Sequence, residues 1–224
     1  MRAPLPWTLL LLTVGLTACG STAPAEPAPP IDAAGPAASG DAGGTPSVVH
    51  GVQSVDTDRF WMIIDDARAT AGQDDDAFLE HLAARVEALP AEAIVDFARE
   101  LKRACGQAYR WDLWGAAYTL NGGCSDDGFE YFRCWLVAQG RDTFTAAVAD
   151  PDSLSALVPL PRDTELEPLL YLPDEIYSEK TGSALPDRVY DGWSESDLGE
   201  EWDFEDEAEL RARLPRLMEK LSPS

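Results

Sequence analysis

Two helices and the turn between them are indicated by residues 108–140, AYRWDLWGAAYTLNGGCSDDGFEYFRCWLVAQG. Residues 111–120 have a helical pattern with small side chains that allow close packing, and Asn121-Gly122-Gly123 is a typical turn sequence. Ser125 is a residue type that favours the start of a helix. Apolar side chains then recur at helical spacing: Phe129, Phe132, Leu136 and Val137. The stretch therefore predicts a pair of helices with apolar faces to bury.

Helical periodicity continues on both sides of this pair. A first helix is expected to begin near residue 56 and to end at Gly72, and a last one to cover residues 167–181 and end at Gly182. No alternating strand pattern with hairpin turns competes with it. The sequence therefore predicts an all-α fold, a compact multi-helix domain over about residues 55–182.

The N-terminus has the features of a secretion signal. Arg2 supplies a positive charge, and the apolar segment at residues 5–16 is too short to span a bilayer. The sequence LTAC at residues 16–19 resembles the lipobox of bacterial lipoproteins, in which cleavage before the cysteine is followed by its lipidation. This resemblance implies a signal peptide over residues 1–18 and a lipid on Cys19. The alternative is an ordinary signal peptide with an incidental cysteine.

Residues 19–54 are dominated by Ala, Pro, Gly, Ser and Thr. Such a composition buries too little apolar surface to offset the entropy of ordering, so we expect a disordered tether. Gly20, and not Asp, follows Cys19, which favours the outer over the inner membrane in Gram-negative bacteria. The sequence thus predicts an extracytoplasmic protein that is held at a bacterial membrane by its lipid.

The charge restricts the partners of the chain. Seventeen basic and 40 acidic residues give a formal charge of −23, which argues against nucleic-acid binding because that requires clustered Lys and Arg. Acidic residues are densest in a C-terminal arm, residues 183–224, of which we expect residues 183–206 to be poorly ordered or loosely docked. A helix is expected around residues 204–214, with a kink or two short pieces at Pro215. An apolar stripe that can dock on the domain is formed by Leu210, Leu214, Leu217 and Leu221. The aromatic residues of the arm are Tyr190, Trp193, Trp202 and Phe204. Acidic and aromatic groups together suit a basic protein partner.

Residues 108–140 resemble the signature of a bacterial family called domain of unknown function 4240. Three further segments resemble the flanks of that signature, in the order of the family: DRFWMIIDDARA at 58–69, DPDSL at 150–154 and IYSEKTG at 176–182. The resemblance covers roughly residues 55–182 and implies a compact helical domain. Neither an activity nor a cofactor can be inferred from this resemblance.

The densest polar cluster is GGCSDDG at residues 122–128, and three interpretations of it remain open. In the structural one, the glycines form the turn, Ser125 caps the next helix, and Asp126 and Asp127 interact with the positive end of that helix. In the second, the turn is a ligand site with carboxylates and aromatic walls. Its candidate residues are Trp111, Asp112, Trp114, Tyr118, Cys124, Ser125, Asp126, Asp127, Glu130 and Tyr131.

The third interpretation makes Cys124 a nucleophile, since a helix N-terminus lowers the pKa of a thiol. The adjacent acidic residues oppose this effect, and the single histidine of the domain, His81, belongs to another helix. The sequence therefore identifies no catalytic residue, metal-ligand set or cofactor. It favours a binding protein without enzymatic activity; the alternative is a hydrolase or other enzyme, with or without a metal, that uses the turn at residues 124–127.

Three cysteines remain once Cys19 carries a lipid. Cys105 and Cys134 belong to helices that can be neighbours, so we expect them to form a disulfide in an oxidising compartment. The alternative is that both are small buried apolar side chains.

Overall fold

The computed structural model describes residues 54–161, 163–190 and 198–222, and over these ranges all regular structure is helical. The all-α prediction is confirmed. The signal peptide, Cys19 and the tether up to residue 53 lie outside the described residues. None of the described helices has the length and apolar character that crossing a membrane requires.

Nine α-helices and two 3-10 helices follow one another in the described ranges. They are α1 (Thr57–Ala71), α2 (Asp75–Glu87), α3 (Ala91–Gln107), α4 (Trp111–Asn121), α5 (Asp126–Ala138), α6 (Arg141–Ala149), the 3-10 helix Pro151–Ala156, α7 (Glu167–Thr181), the 3-10 helix Asp187–Tyr190, α8 (Glu207–Arg213) and α9 (Pro215–Leu221).

Local signals set the ends of these helices. The side chains of Asp56, Asp74 and Ser125 accept hydrogen bonds from backbone N–H groups in the first turns of α1, α2 and α5. Gly122 and Gly182 end α4 and α7 with φ of 71° and 72°, a conformation that glycine adopts at little cost. Because these signals act within a few residues, the helix boundaries could be predicted from the sequence.

The core forms where α1, α2, α3, α5 and α7 pack together. The aromatic rings of Phe60 and Phe97 lie 5.1 Å apart and join α1 to α3. The largest fully buried side chains come from most of the elements: Phe60, Phe78, Phe97, Phe129, Phe132, Ile64, Leu82, Ile94, Leu113, Leu136, Leu154 and Leu169.

The C-terminal arm packs more closely than its acidity suggested. Leu210, Leu214 and Leu217 are all buried in the main core, and Leu217 is 0% exposed. The two short helices α8 and α9 lie on either side of Leu214, immediately before the proline where the sequence predicted an interruption. The leucine stripe thus docks on the domain as its spacing indicated. Within residues 198–206, where a poorly ordered or loosely docked segment was expected, Trp202 is also buried, because the domain leaves room for its ring. The hydrophobic core extends past residue 182.

Candidate functional site

A cavity of about 690 Å³ lies between α3, α5, α7 and the segment 184–189. Helical spacing explains which side chains line it. On α5 the lining residues are Asp126, Asp127, Glu130, Arg133 and Cys134, at intervals that place them along one face of the helix. The opposite face of α5 carries Phe129 and Phe132 into the core. The structural and the ligand-site interpretations of Asp126 and Asp127 are therefore compatible, since both residues open α5 and also line a cavity.

Acidic side chains from three elements surround this cavity. Asp126, Asp127 and Glu130 come from α5, Asp174 comes from α7, and Asp187 begins the second 3-10 helix. Among the described residues, the cations that line the cavity are Lys102 and Arg133. The carboxylates outnumber them, so the cavity has an acidic lining.

Arg133 is held in place by the protein. Its Nη1 donates to the carbonyl oxygen of Cys105 at 3.2 Å, and its guanidinium lies over the ring of Tyr109, 4.8 Å from the ring centroid. Tyr109 stacks in turn on Phe129, and Phe129 on Trp114. One side of the cavity is therefore lined by Tyr109 and Trp114, which stack on the buried Phe129, and the guanidinium of Arg133 is already engaged there.

Ser125 and Cys124 do not line the cavity. The Ser125 hydroxyl accepts a hydrogen bond from the N–H of Gly128 at 3.1 Å, as expected of a cap. Cys124 is half-buried, and burial together with the carboxylates of Glu165 and Asp126 raises the pKa of its thiol to about 12. A thiol with this pKa remains protonated at neutral pH, which argues against Cys124 as a nucleophile.

Tyr131 lies on another side of α5, where its hydroxyl donates to Oε1 of Glu167 at 3.2 Å. Partial burial and the negative charge of Glu167 raise the pKa of Tyr131 to about 12. Asp112, on α4, pairs with Arg213 of the arm at 3.4 Å. Neither residue lines the cavity, so the structure separates them from the site that the sequence grouped them with.

Trp111 and Tyr118 lie beneath the C-terminal arm. The ring of Phe204 is 5.8 Å from both, and the ring of Trp202 packs against Gly115. Trp202 is 8% exposed. Trp202 and the partly buried Phe204 therefore pack against the domain. Trp193 and the side chain of Tyr190 lie outside the described residues.

Several residues of the cavity are not among those that the sequence indicated. Lys102 lies on α3, Tyr171 and Asp174 on α7, and Asp187 beyond it, far from the GGCSDDG cluster in the chain. Tyr171 is large and aromatic yet 47% exposed, and nothing in the sequence around it marked it as part of a site. In the parts of the chain that the structure describes, no group of three or more His, Cys, Asp or Glu side chains has the arrangement of a metal site.

Cys105 and Cys134 lie in the wall of the same cavity, with their sulfur atoms 4.0 Å apart. Both are buried free thiols. The sequence therefore paired the two cysteines that the fold brings together, and the disulfide itself stays a prediction.

Comparison with known proteins gives one match. A family model described as "Protein of unknown function (DUF4240)" matches residues 55–179, which is more than half of the chain. Neither the curated proteins nor the solved structures contain a significant match.

Proposed function

The chain belongs to the family described as Protein of unknown function (DUF4240), and from that premise we propose that it is a binding protein whose acidic cavity accepts basic side chains of a protein partner. One observation carries this proposal: acidic side chains from α5, α7 and the segment after α7 converge on a single cavity. The cavity is large enough for one or two side chains of a partner.

The lining of the cavity suits the chemistry of Lys and Arg. The carboxylates of Asp126, Asp127 and Glu130 can pair with an ammonium or guanidinium group, and the exposed ring of Tyr171 lines the same cavity and can pack against that cation. Leu101 and Leu170 provide apolar surface for the methylene stems. The charge of −23 adds long-range attraction for a basic partner.

The enzymatic alternative has less support. The thiol of Cys124 is protonated at neutral pH because its pKa is raised to about 12. His81 belongs to α2, whereas the turn at residues 124–127 precedes α5. The turn and its own helix therefore contain no histidine that could act as a base. A binding role needs neither group.

We also propose that the protein acts on the extracytoplasmic side of a bacterial membrane, the outer membrane in a Gram-negative host, where a lipid on Cys19 anchors it. The support is the LTAC sequence at residues 16–19 after a short apolar segment. Mass spectrometry of the protein from its native host should find an acylated N-terminal Cys19. An unmodified Cys19 would contradict the anchor without affecting the proposal for the cavity.

The cavity is tested with a fluorescein-labelled peptide of alternating Arg and Leu, titrated into the full chain and followed by fluorescence anisotropy. Asp126→Asn/Asp127→Asn/Glu130→Gln should weaken binding by at least about tenfold, which corresponds to about 1.4 kcal/mol. The control Asp142→Asn/Glu179→Gln/Glu219→Gln removes the same number of charges from exposed positions outside the cavity.

The control should leave the affinity within about twofold of that of the unchanged chain. Equal weakening by both triple variants would mean that the peptide responds only to net charge, and the proposed site would be wrong. Circular dichroism of both variants verifies that the helical fold is retained.

A further inference from the structure

Cys105 and Cys134 form a pair that the binding function does not use. Their sulfur atoms are 4.0 Å apart, on α3 and α5. A disulfide requires a sulfur–sulfur separation of about 2.05 Å. The two side chains are thus neighbours in space, and a covalent link requires their sulfur atoms to approach each other.

The two thiols differ in their surroundings. Cys105 is 9% exposed and Cys134 is 0% exposed, so Cys105 is the one that a reagent in the cavity can reach. The hydrogen bond with Cys134 lowers the pKa of the Cys105 thiol against the effect of burial, and Arg133 and Lys102 lower it further, while Glu130 opposes them. The hydrogen bond with Cys105 and burial raise the pKa of Cys134.

We propose that Cys105 and Cys134 form a thiol–disulfide exchange site in the cavity wall, which low-molecular-weight disulfides oxidise to a bridge between α3 and α5. Cys105 is the attacking thiol and Cys134 the resolving thiol. This assignment rests neither on the proposed partner nor on the lipid anchor. Cys124 takes no part in it, because its thiol is protonated at neutral pH and does not line the cavity.

The exchange proceeds in two steps that balance. The Cys105 thiolate attacks one sulfur of the small disulfide, the sulfur–sulfur bond breaks, and one half leaves as a thiolate that takes up a proton. Cys134 then gives up its proton and attacks the sulfur of Cys105 in the mixed disulfide, which releases the second half as a thiol. In total, two protein thiols are oxidised to one disulfide, and the small disulfide is reduced to two thiols.

The test uses the full chain and oxidised glutathione, with site-resolved peptide mapping under non-reducing conditions. The unchanged protein should give a Cys105–Cys134 bridge while Cys124 remains a free thiol. Site-resolved mapping also distinguishes Cys19 from the other three cysteines. This measurement needs no substitution, so it decides the proposal even if a variant fails to fold.

Single variants test the assigned roles. Cys134→Ser should accumulate glutathione on Cys105, because the resolving thiol is missing. Cys105→Ser should carry at least about tenfold less glutathione on Cys134, because that thiol is buried and has a raised pKa. The matched control Cys124→Ser should form the same bridge as the unchanged chain.

Three results would overturn the proposal. One is a bridge that includes Cys124, and another is that Cys105 and Cys134 both remain free thiols in an excess of oxidised glutathione. The third is that the two variants carry equal amounts of glutathione, Cys105→Ser on Cys134 and Cys134→Ser on Cys105. That result would contradict the order of attack.

Discussion

At Gly115 the absence of a side chain allows the C-terminal arm to dock on α4. A Cβ atom at this position would lie 2.1 Å from Cζ2 and 2.5 Å from Cη2 of Trp202. Such contacts are far closer than van der Waals separation, and they involve a rigid ring. Gly115 therefore leaves the space that the ring of Trp202 occupies, and the two positions are coupled across more than 80 residues of sequence.

Gly115→Ala should lower the free energy of unfolding by about 1–3 kcal/mol, the usual cost of overpacking, although Ala favours helices more than Gly. Urea denaturation of the full chain measures this loss. In a Trp202→Ala background the same substitution should cost nothing or stabilise the protein, because the clash is absent. A similar loss in both backgrounds would show that Gly115 is required for a reason other than Trp202.

At the scale of elements, α9 takes its N-terminal cap from a distant segment. The α9 helix has no capping side chain of its own. Asp152, in the 3-10 helix Pro151–Ala156, accepts hydrogen bonds from the backbone N–H groups of Leu217 at 2.8 Å and Arg216 at 3.1 Å. The Arg216 Nε also donates to Asp152 at 2.7 Å. A buried carboxylate thus fixes the last helix to the domain.

The pKa of Asp152 determines when this link weakens. Burial raises the pKa, but the hydrogen bonds from the Arg216 side chain and from the two backbone N–H groups outweigh burial and hold it below its ordinary value of 3.8. Because the pKa is lower in the folded than in the unfolded state, the link stabilises the fold above the unfolded-state pKa. The stabilisation is lost as the pH falls below about 4 and through the folded-state pKa.

Asp152→Asn should lower the free energy of unfolding at pH 7 by about 1–3 kcal/mol and should flatten its decrease below about pH 4. The control is Asp150→Asn, since Asp150 pairs with the same Arg216 but its side chain is 55% exposed. That pair should contribute at most about 1 kcal/mol. Urea titrations at pH 7 and pH 3 measure both variants, and equal losses would contradict a capping role for Asp152.

At the scale of the whole molecule, the family match and the hydrophobic core have different limits. The match ends at residue 179, whereas the core includes Leu210, Leu214 and Leu217. The arm also carries Arg216, which pairs with the acidic residues of the DPDSL segment at 150–154. The C-terminal segment is therefore a structural part of the domain in this chain and not an appendage that can be removed without cost.

Leu217→Ala should lower the free energy of unfolding by about 2–5 kcal/mol, as expected for a fully buried leucine. Leu221→Ala, a partly buried position on the same helix, is the control and should cost clearly less. The midpoint of urea denaturation, with the slope of the transition, measures both. If Leu217→Ala were as mild as its control, the arm would contribute little to the stability of the domain.

The helices and their ends could be predicted because each signal is local. A capping Asp or Ser acts on N–H groups two or three residues away, and a glycine with positive φ ends a helix by its own conformation. The pairing of Cys105 with Cys134 was also accessible, since both lie on apolar helical faces. The docking of Leu210, Leu214 and Leu217 was accessible for the same reason, since their spacing is visible in the sequence; the burial of Trp202 was not, because acidic residues surround it.

The candidate site could be predicted only in part. The sequence placed Asp126, Asp127 and Glu130 in a ligand site, and they line the cavity together with Trp114. It also grouped with them Trp111 and Tyr118, which the arm covers. The opposite wall, with Tyr171 and Asp174, comes from α7 and could not be derived from the cluster itself.

The sequence by itself determined the all-α class, the positions of the helices and the family, because these depend on periodicity, on short-range hydrogen bonds and on motifs in order. Only the tertiary structure decided which polar side chains share a cavity, since that depends on how α3, α5 and α7 are rotated about their axes when they pack. It also decided that Trp202 faces inward, because a tryptophan in an acidic segment is buried only where another part of the chain, here Gly115, leaves room for its ring.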